Sequence, residues 1–378
     1  MKPNTSIFRG IFILCILSSF FSWTHFFQLI SFVNADCANP TVRKEIRQFT
    51  DQERIEFIDA VKQLNQGVRP SRYDLLSRLH QEAREQAHNQ PQFLPWHRAF
   101  LREFEKALQS VNPNVVFPYW NWSVDHLNPV SSPVFSGDWC GGSGSCVSTG
   151  PFANWQVTYK DYYSVAPHCL QRNLVNLKGN VVDPVTIQHI IFSNNGFEEF
   201  RRAIEGHPHA GIHIGVGGDL NTLASPNDPL FYMHHAFVDK IWADWQKRDP
   251  QFVYQYGGTN KDGSQAALTD YIQPFGVSVE SVMSTTSDSM CYVYSDYPEV
   301  TMTSKGIDED GSESKSKPPT PSSSILPTLK RLPDSWIEMT GGDVVKARAE
   351  ENRLFKFIEQ FNRNVTSNKP LNVAAKVH

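Results

Sequence analysis

Apolar residues recur at helical spacing in the first third of the chain. Between Ile55 and Leu64 they lie three positions apart, which places them along one face of a helix. Thr50, with Glu53 three residues later, has the arrangement of a capping box. The sequence therefore predicts a helix that begins after Thr50 and ends before Gly67.

The same period predicts further helices along the chain. They run from Arg72 to about His88, from about Trp96 to Ser110, from Phe197 to Glu205, and from His234 to Lys247. Between these helices lies a long stretch, residues 111–196, in which proline, glycine and tryptophan are frequent. We predict that this stretch forms long ordered loops with little regular structure.

Composition changes at both ends of the chain. Residues 1–35 carry two basic residues, a mostly apolar run and small residues before Asp36, which is typical of a secretory signal peptide. A membrane anchor is the alternative, but polar residues interrupt the run, and no later stretch is apolar enough to span a bilayer. Residues 36–300 form the predicted main domain, 301–326 a low-complexity linker, and 327–378 a tail with one amphipathic helix.

Charge and cysteine content narrow the class of protein. The chain has 35 basic and 39 acidic residues and no basic block, which disfavours nucleic acid as a partner. Five cysteines follow the predicted signal peptide, and a secreted chain is expected to oxidise most of them. They allow at most two disulfides, whose pairing stays open. Asn364 begins an N-glycosylation sequence, whereas Asn121, which also begins one, is expected to be buried.

Histidines are concentrated in two parts of the chain. Of 13 histidines, seven form two groups: His80, His88 and His97, then His209, His213, His234 and His235. His209 and His213 are four residues apart and therefore share one face of a helix. His80 and His88 are eight apart, so their helix has to bend before both rings can point to one place.

Neutral imidazole binds copper, zinc, iron and nickel. Two histidine groups without a carboxylate or thiolate favour copper or zinc, and a pair of metals acting on one small molecule. Without a metal, the clustered nitrogens would be costly to bury. A zinc protease is disfavoured because HExxH is absent, and a dinuclear zinc hydrolase because carboxylate ligands are missing.

Several segments resemble the tyrosinase family of type-3 dicopper proteins. FLPWHRAFLREFE, residues 93–105, resembles its CuA motif. PHAGIHIGVGGDL, residues 208–220, and NDPLFYMHHAFVDKIWADWQ, residues 227–246, resemble the two halves of its CuB motif. FPYWNWS (117–123), CVSTGPFANW (146–155) and YVY (292–294) are also similar. The resemblance covers the chain from about Cys37 to Tyr297.

The resemblance implies a mainly α fold: an antiparallel four-helix bundle that holds a dicopper centre, wrapped by long ordered loops and a few short strands. It implies two copper ions, O2 as co-substrate, and a small phenolic substrate oxidised to an o-quinone. By position, the implied ligands are His80, His88 and His97 for CuA and His209, His213 and His235 for CuB. The main domain, residues 36–300, would be the catalytic domain of a secreted enzyme.

Neighbouring residues receive roles from the same resemblance. The second histidine of the pair is the family's ligand, so His234 is expected to lie beside the metal site without binding the metal. Phe231 is expected to pack over the site, and Asp239 to orient a ligand imidazole. Glu205 could place a water molecule for catalysis, or be a solvated charge at a helix end. Arg98 is expected to brace the bundle.

Two positions depart from the family pattern. Gln86 stands where some members have a cysteine in a thioether bond to the second CuA histidine. Ala210 stands where efficient monophenol hydroxylases carry an asparagine that holds a water with a nearby glutamate. Since a methyl group cannot accept a hydrogen bond, we expect oxidation of diphenols to be favoured over hydroxylation of monophenols.

Alternatives remain for both the domain and the tail. The same ligands occur in haemocyanin-like oxygen carriers, so an oxygen-binding protein without turnover is the second hypothesis, and a metal-bound protein without chemistry the third. The tail could cover the copper site as a latch that proteolysis in the linker removes. Alternatively, it could be a helix that packs on the outside of the domain.

Overall fold

A computed structural model describes residues 37–161, 164–297 and 325–367. The predicted signal peptide, nearly all of the linker and the last residues of the tail lie outside these ranges. No helix in the described ranges is long and apolar enough to cross a membrane.

The fold is mainly α, as expected, and most helices lie where periodicity predicts them. The helices are α1 (Asp51–Leu64), α2 (Arg72–Glu82), α3 (Arg84–Ala87), α4 (Phe93–Gln109), α5 (Pro184–Ser193), α6 (Phe197–Ile204), α7 (Ala210–Val216), α8 (Leu230–Gln246), α9 (Val279–Met283), α10 (Asp334–Met339) and α11 (Val344–Thr366). Thr50 and Glu53 form the predicted capping box. The predicted second helix is broken at Ala83 into α2 and α3.

Helices α2, α4, α7 and α8 form the bundle that carries the histidines. Helix α4 buries every residue from Phe93 to Leu101, and Phe104 and Leu108 beyond them. Helix α8 is buried nearly all round, which is typical of a central helix. The core of the domain is therefore built around these two helices.

Short strands form one three-stranded sheet and two hairpins, and the sheet pairs the first strand of the domain with the last. The strands are β1 (Thr41–Glu45), β2 (Pro118–Tyr119), β3 (Gln156–Asp161), β4 (Ser164–Cys169), β5 (Tyr271–Ile272), β6 (Val277–Ser278) and β7 (Tyr292–Tyr294). Strand β1 pairs in parallel with β2 and with β7, whereas β3 pairs with β4 and β5 with β6 in antiparallel fashion.

Disulfides join Cys37 to Cys291 and Cys146 to Cys169, and Cys140 is free and buried.

The middle of the chain is more regular than predicted. The β3–β4 hairpin and helix α5 both lie in the stretch expected to be loops. Asp183 caps α5 and Pro184 is its first residue, a helix start that the sequence contains. The dense prolines and glycines around these elements obscured the signal.

The tail packs against the main domain. It begins with an extended segment without regular secondary structure, residues 325–333, which we call the strap. The short helix α10 and the long helix α11 follow, so the tail contains two helices where one was expected. Leu354, Ile358 and Phe361 of α11 join the core cluster of the domain.

Candidate metal centre

Two groups of buried histidines could each hold a metal ion. The first contains His80, His88 and His97, and the second contains His209, His213, His234 and His235. Within each group the candidate ligand nitrogens lie within 4.8 Å of one another. All seven side chains are buried. The sequence thus identified every member of both groups.

The break in the predicted second helix brings the first group together. His80 lies on α2, His88 follows α3, and His97 lies on α4. Ring centroids are 4.9 Å apart for His80 and His88, and 5.2 Å apart for His88 and His97. The bend that the eight-residue spacing requires is located at Ala83.

A π turn, Glu205–His209, delivers the second group. Gly206 in this turn has a non-helical ψ of −128°. The turn leads directly into α7, so that His209 and His213 have ring centroids 4.6 Å apart. The Nε2 atoms of His213 and His235 are 3.2 Å apart. Two nitrogens at about 2.0 Å from one tetrahedral metal ion have about this separation.

Five of these imidazoles are oriented by backbone carbonyl groups. Each Nδ1 lies within hydrogen-bond distance of a carbonyl oxygen: His80 of Leu223 (2.9 Å), His88 of Arg84 (3.2 Å), His97 of Phe93 (2.8 Å), His209 of Glu205 (3.0 Å) and His213 of Leu220 (2.7 Å). A carbonyl only accepts, so each Nδ1 carries the proton and each Nε2 presents a lone pair. This is the tautomer that binds a metal through Nε2.

One loop after α7 serves both groups. Leu220 orients His213, and Leu223 orients His80. The chain enters this loop through Gly217 and Gly218, which have positive φ of 66° and 57°. A Cβ at Gly218 would lie 2.1 Å from the carbonyl oxygen of Gln171. Gly217 and Gly218 therefore allow the chain to turn back after α7. This turn brings the carbonyls of Leu220 and Leu223 to His213 and His80.

The buried nitrogens fit metal binding. The Nε2 atoms of His80, His97 and His209 are buried and have no hydrogen-bond partner among the described residues, which is costly unless something else satisfies them. Burial lowers the pKa of His88 and of His213 to about 4. The rings are therefore neutral at ordinary pH, and neutral imidazole is the form that binds copper or zinc.

The two groups touch each other. The rings of His97 and His235 stack with centroids 4.2 Å apart and planes 6° apart. Phe231 is buried between the groups, 4.1 Å from the His235 ring and 5.1 Å from the His80 ring. Phe231 thus packs on the site as expected, and both groups face one small space.

His234 differs from its neighbours in its tautomer. Its Nδ1 accepts a hydrogen bond from the indole Nε1 of Trp122, at 3.2 Å. Because an indole only donates, the proton of neutral His234 lies on Nε2. That nitrogen has no lone pair for a metal, which agrees with the expectation that His234 lies beside the site rather than binding the metal.

The expectation that Asp239 orients a ligand imidazole is wrong. Its carboxylate accepts from Arg98 Nε at 2.6 Å and from the hydroxyls of Tyr292 and Tyr294 at 2.5 and 2.7 Å. None of its hydrogen bonds within the described ranges goes to a histidine. The reason is the short β7 strand, which packs beside α8 so that the hydroxyls of Tyr292 and Tyr294 reach Asp239. His235 consequently has an Nδ1 without a partner there.

Arg98 braces the bundle, as expected. Besides Asp239, it donates to the carbonyl of Met283 at 2.5 Å and lies 3.6 Å from the ring centroid of Trp242. Gln86, at the position of the thioether cysteine, donates to the carbonyl of Tyr271 at 3.3 Å. It therefore contributes a contact to β5 instead of a bond to His88.

Glu205 is not a solvated charge. It is buried, forms an ion pair with Arg201, and accepts from the backbone N–H of Asn89 at 2.5 Å. Burial raises its pKa to about 7, against the opposing effect of Arg201. Ala210, which follows His209, is fully buried and packs with Leu332 and Ile337 of the tail.

The tail covers one side of the second group. The indole of Trp336 on α10 has ring centroids 6.0 Å from His209 and 6.2 Å from His213. Beside it lies a cavity of about 680 Å³ whose lining includes His88 and Glu205. His207 is also buried, because the strap covers it and the carbonyl of Lys330 lies 2.7 Å from its Nε2.

Sequence reasoning missed the roles of Asn89, Trp122 and Trp336. Asn89 has a positive φ of 55° and directly follows His88, so its place after a predicted ligand was the available signal. Trp122 lies in a segment already noted for its family resemblance. Trp336 had no signal, because nothing local indicates which part of a tail returns to the site.

Comparisons with known proteins agree with this geometry. The sequence model for the common central domain of tyrosinase matches residues 70–248. A tyrosinase from Streptomyces antibioticus is 37% identical over 243 residues, 58% of this chain and 87% of that protein. A solved polyphenol oxidase mutant from Thermothelomyces thermophila is similar with a TM-score of 0.60 and 25% identity, over 68% of this chain and 89% of that one.

An octopus haemocyanin functional unit shares the fold, with a TM-score of 0.51 and 21% identity over 68% of each chain. The four-helix architecture and the paired histidine groups are thus accompanied by direct sequence similarity to tyrosinases. That family implies a dicopper centre, and the two histidine groups have the composition to hold one. The chain belongs to the tyrosinase family of type-3 copper proteins.

Proposed function

We propose that the protein is a phenol oxidase that converts o-diphenols to o-quinones with O2. In this proposal His80, His88 and His97 bind one copper ion, and His209, His213 and His235 bind the other. The observation that carries it is the row of Nδ1–carbonyl contacts, which directs Nε2 lone pairs inward. When bound, a copper pair supplies O2 binding and two-electron oxidation of the phenol.

The residues of the chain orient the ligand rings and exclude water. Phe231, fully buried between His80 and His235, packs against both rings and holds them in place. Its burial, with that of Phe93 and Phe100, keeps the centre apolar and favours an aromatic substrate over a charged one. The neighbouring cavity of about 680 Å³ falls within the range of small-molecule sites.

The surroundings of Glu205 support diphenols over monophenols. Its two oxygens are already occupied by Arg201 and by the N–H of Asn89. Ala210 offers no amide to hold a water beside it. A monophenol must lose its hydroxyl proton to a base. The occupied oxygens of Glu205 and the missing amide at position 210 both make this proton transfer less favourable.

Oxygen uptake by the copper-loaded protein is the test. We expect uptake with an o-diphenol and little or none with the matching monophenol. Equal uptake with both would contradict the preference. Binding of O2 without uptake, persisting after proteolysis of the linker, would favour the haemocyanin-like alternative.

We also propose that the tail is a latch. The position of Trp336 near His209 and His213 supports a tail that blocks one approach to the site. Proteolysis in the linker, residues 301–326, is expected to raise diphenol oxidation without changing the copper content. No change in activity would favour a tail that only packs on the domain.

Secretion is part of the same proposal. Two disulfides among the described cysteines support an oxidising compartment. We expect residues 1–35 to be removed, leaving Asp36 as the first residue of the secreted protein. N-terminal sequencing of the protein from culture medium tests this, and a retained Met1 would contradict it.

A further inference from the structure

Besides its apolar packing, the tail is held to the domain by three hydrogen bonds to its main-chain groups. In the strap, the N–H of Lys330 donates to the carbonyl of Gly179 at 2.8 Å. The carbonyl of the same residue accepts from Nε2 of His207 at 2.7 Å. After α10, the side-chain amide of Asn89 donates to the carbonyl of Thr340 at 3.0 Å. These contacts would be available to any polypeptide.

Between these main-chain contacts the tail presents one aromatic side chain to the histidines. Trp336 lies six residues after Lys330 and four before Thr340, and it is the tail residue beside His209 and His213. Apolar anchors accompany it: Leu332 and Ile337 pack on Ala210. The groove therefore recognises a peptide backbone, two apolar side chains and an aromatic ring aimed at the metal site.

The geometry points to polypeptides as substrates: we propose that the groove, once the tail has left, binds a peptide segment and delivers its 3,4-dihydroxyphenylalanine side chain to the dicopper site. This inference rests on the proposed phenol oxidation and adds the class of substrate. Main-chain hydrogen bonds supply affinity and side-chain pockets supply selectivity, as in other peptide grooves.

The reaction balances with O2 alone. Two catechol side chains each lose two electrons and two hydroxyl protons and become o-quinones. One O2 accepts the four electrons and four protons and leaves as two waters. No bond of the peptide backbone changes, so the groove only has to hold the chain while the ring reacts.

The test uses the full copper-loaded chain with Ile337→Asp, which places a charge in the apolar contact with Ala210 and displaces the tail. The probe is a fluorescent peptide copying residues 328–342, with 3,4-dihydroxyphenylalanine at the position of Trp336. Binding is measured by anisotropy without O2, and turnover by oxygen uptake. Trp336→Gly, which changes only a half-buried tail residue, is the second preparation in case Ile337→Asp does not fold.

We expect the peptide to bind and to be oxidised with a kcat/KM at least about tenfold above that of free 3,4-dihydroxyphenylalanine. The matched control is the same peptide methylated on the backbone nitrogen of the residue that corresponds to Lys330. This methylation removes the N–H that donates to the carbonyl of Gly179. Its binding is expected to weaken by roughly threefold to tenfold, the effect of one lost hydrogen bond.

Two results distinguish a failure of peptide delivery from a failure of phenol oxidation. If the free diphenol is oxidised but the peptide neither binds nor gains in kcat/KM, peptide delivery is overturned and phenol oxidation stands. If the peptide binds with the expected sensitivity to methylation but no diphenol is oxidised, the groove's recognition of polypeptide is supported and phenol oxidation fails.

Discussion

Arg98 and Asp239 join the two helices that carry ligands of different histidine groups. Nε of Arg98 on α4 donates to Oδ1 of Asp239 on α8 at 2.6 Å, and both side chains are at most 3% exposed. His97 precedes Arg98, and His235 lies one turn before Asp239. The ion pair therefore sets the distance between α4 and α8 just below the stacked rings of His97 and His235.

Removing one partner of this pair is expected to destabilise the fold. Asp239→Asn leaves the buried guanidinium of Arg98 without its counter-charge, a change that costs about 3–5 kcal/mol. The measurement is chemical unfolding of the copper-free protein. Glu103→Gln, on α4 like Arg98, is the control, because the ion pair of Glu103 with Lys106 is exposed. Such an exposed pair is worth under about 1 kcal/mol. Equal losses in both variants would contradict a bracing role.

Copper content distinguishes His234 from the proposed ligands. His97→Gln is expected to reduce bound copper from two ions to about one per chain, because it removes a nitrogen of the first group. His234→Gln is expected to retain both ions, since the Nδ1 of His234 already accepts from Trp122. Elemental analysis after dialysis measures this. An equal loss of copper from His234→Gln would make His234 a ligand.

An amide at position 210 is expected to change the substrate preference. Ala210→Asn, made together with Ile337→Asp because the tail packs on Ala210, gives a water beside Glu205 a second partner. The ratio of monophenol to diphenol oxidation is expected to rise several-fold. Ala210→Val in the same background adds bulk without an amide. If Val raises the ratio as much as Asn, the hydrogen bond is not the cause.

Glu351 is expected to hold the strap in place over the domain. This buried residue accepts from the N–H of Leu332 at 2.6 Å and pairs with Arg331 and Arg348, so it fastens the strap to α11. Glu351→Ala leaves a buried N–H unsatisfied, which costs about 1–3 kcal/mol.

We therefore expect Glu351→Ala to raise diphenol oxidation before any proteolysis. Glu359→Ala, which removes an exposed pair with Arg363 on the same helix, serves as its control. Oxygen-uptake rates of uncleaved protein decide the matter. A rate for Glu351→Ala equal to that of the parent protein would show that the strap does not limit access.

Features that depend on neighbours in sequence were predictable. The capping box at Thr50, the helices around Phe100 and His235, and the shared face of His209 and His213 follow from spacing alone, because helical geometry repeats every few residues. The cost of burying clustered imidazoles indicates a metal from the sequence alone. Resemblance to family motifs then selected copper and separated His235 from His234.

Tertiary structure decided what depends on residues far apart in the chain. The carbonyl of Leu223 orients His80 from 143 positions away in the chain, and Arg98 pairs with Asp239 from 141 positions away. The burial of His207 and the placement of Trp336 depend on how the tail returns. A carbonyl has no side-chain signature, and a carboxylate binds whichever donor folding brings nearest. Local pattern therefore identified the histidines, whereas long-range packing determined what orients them and what covers them.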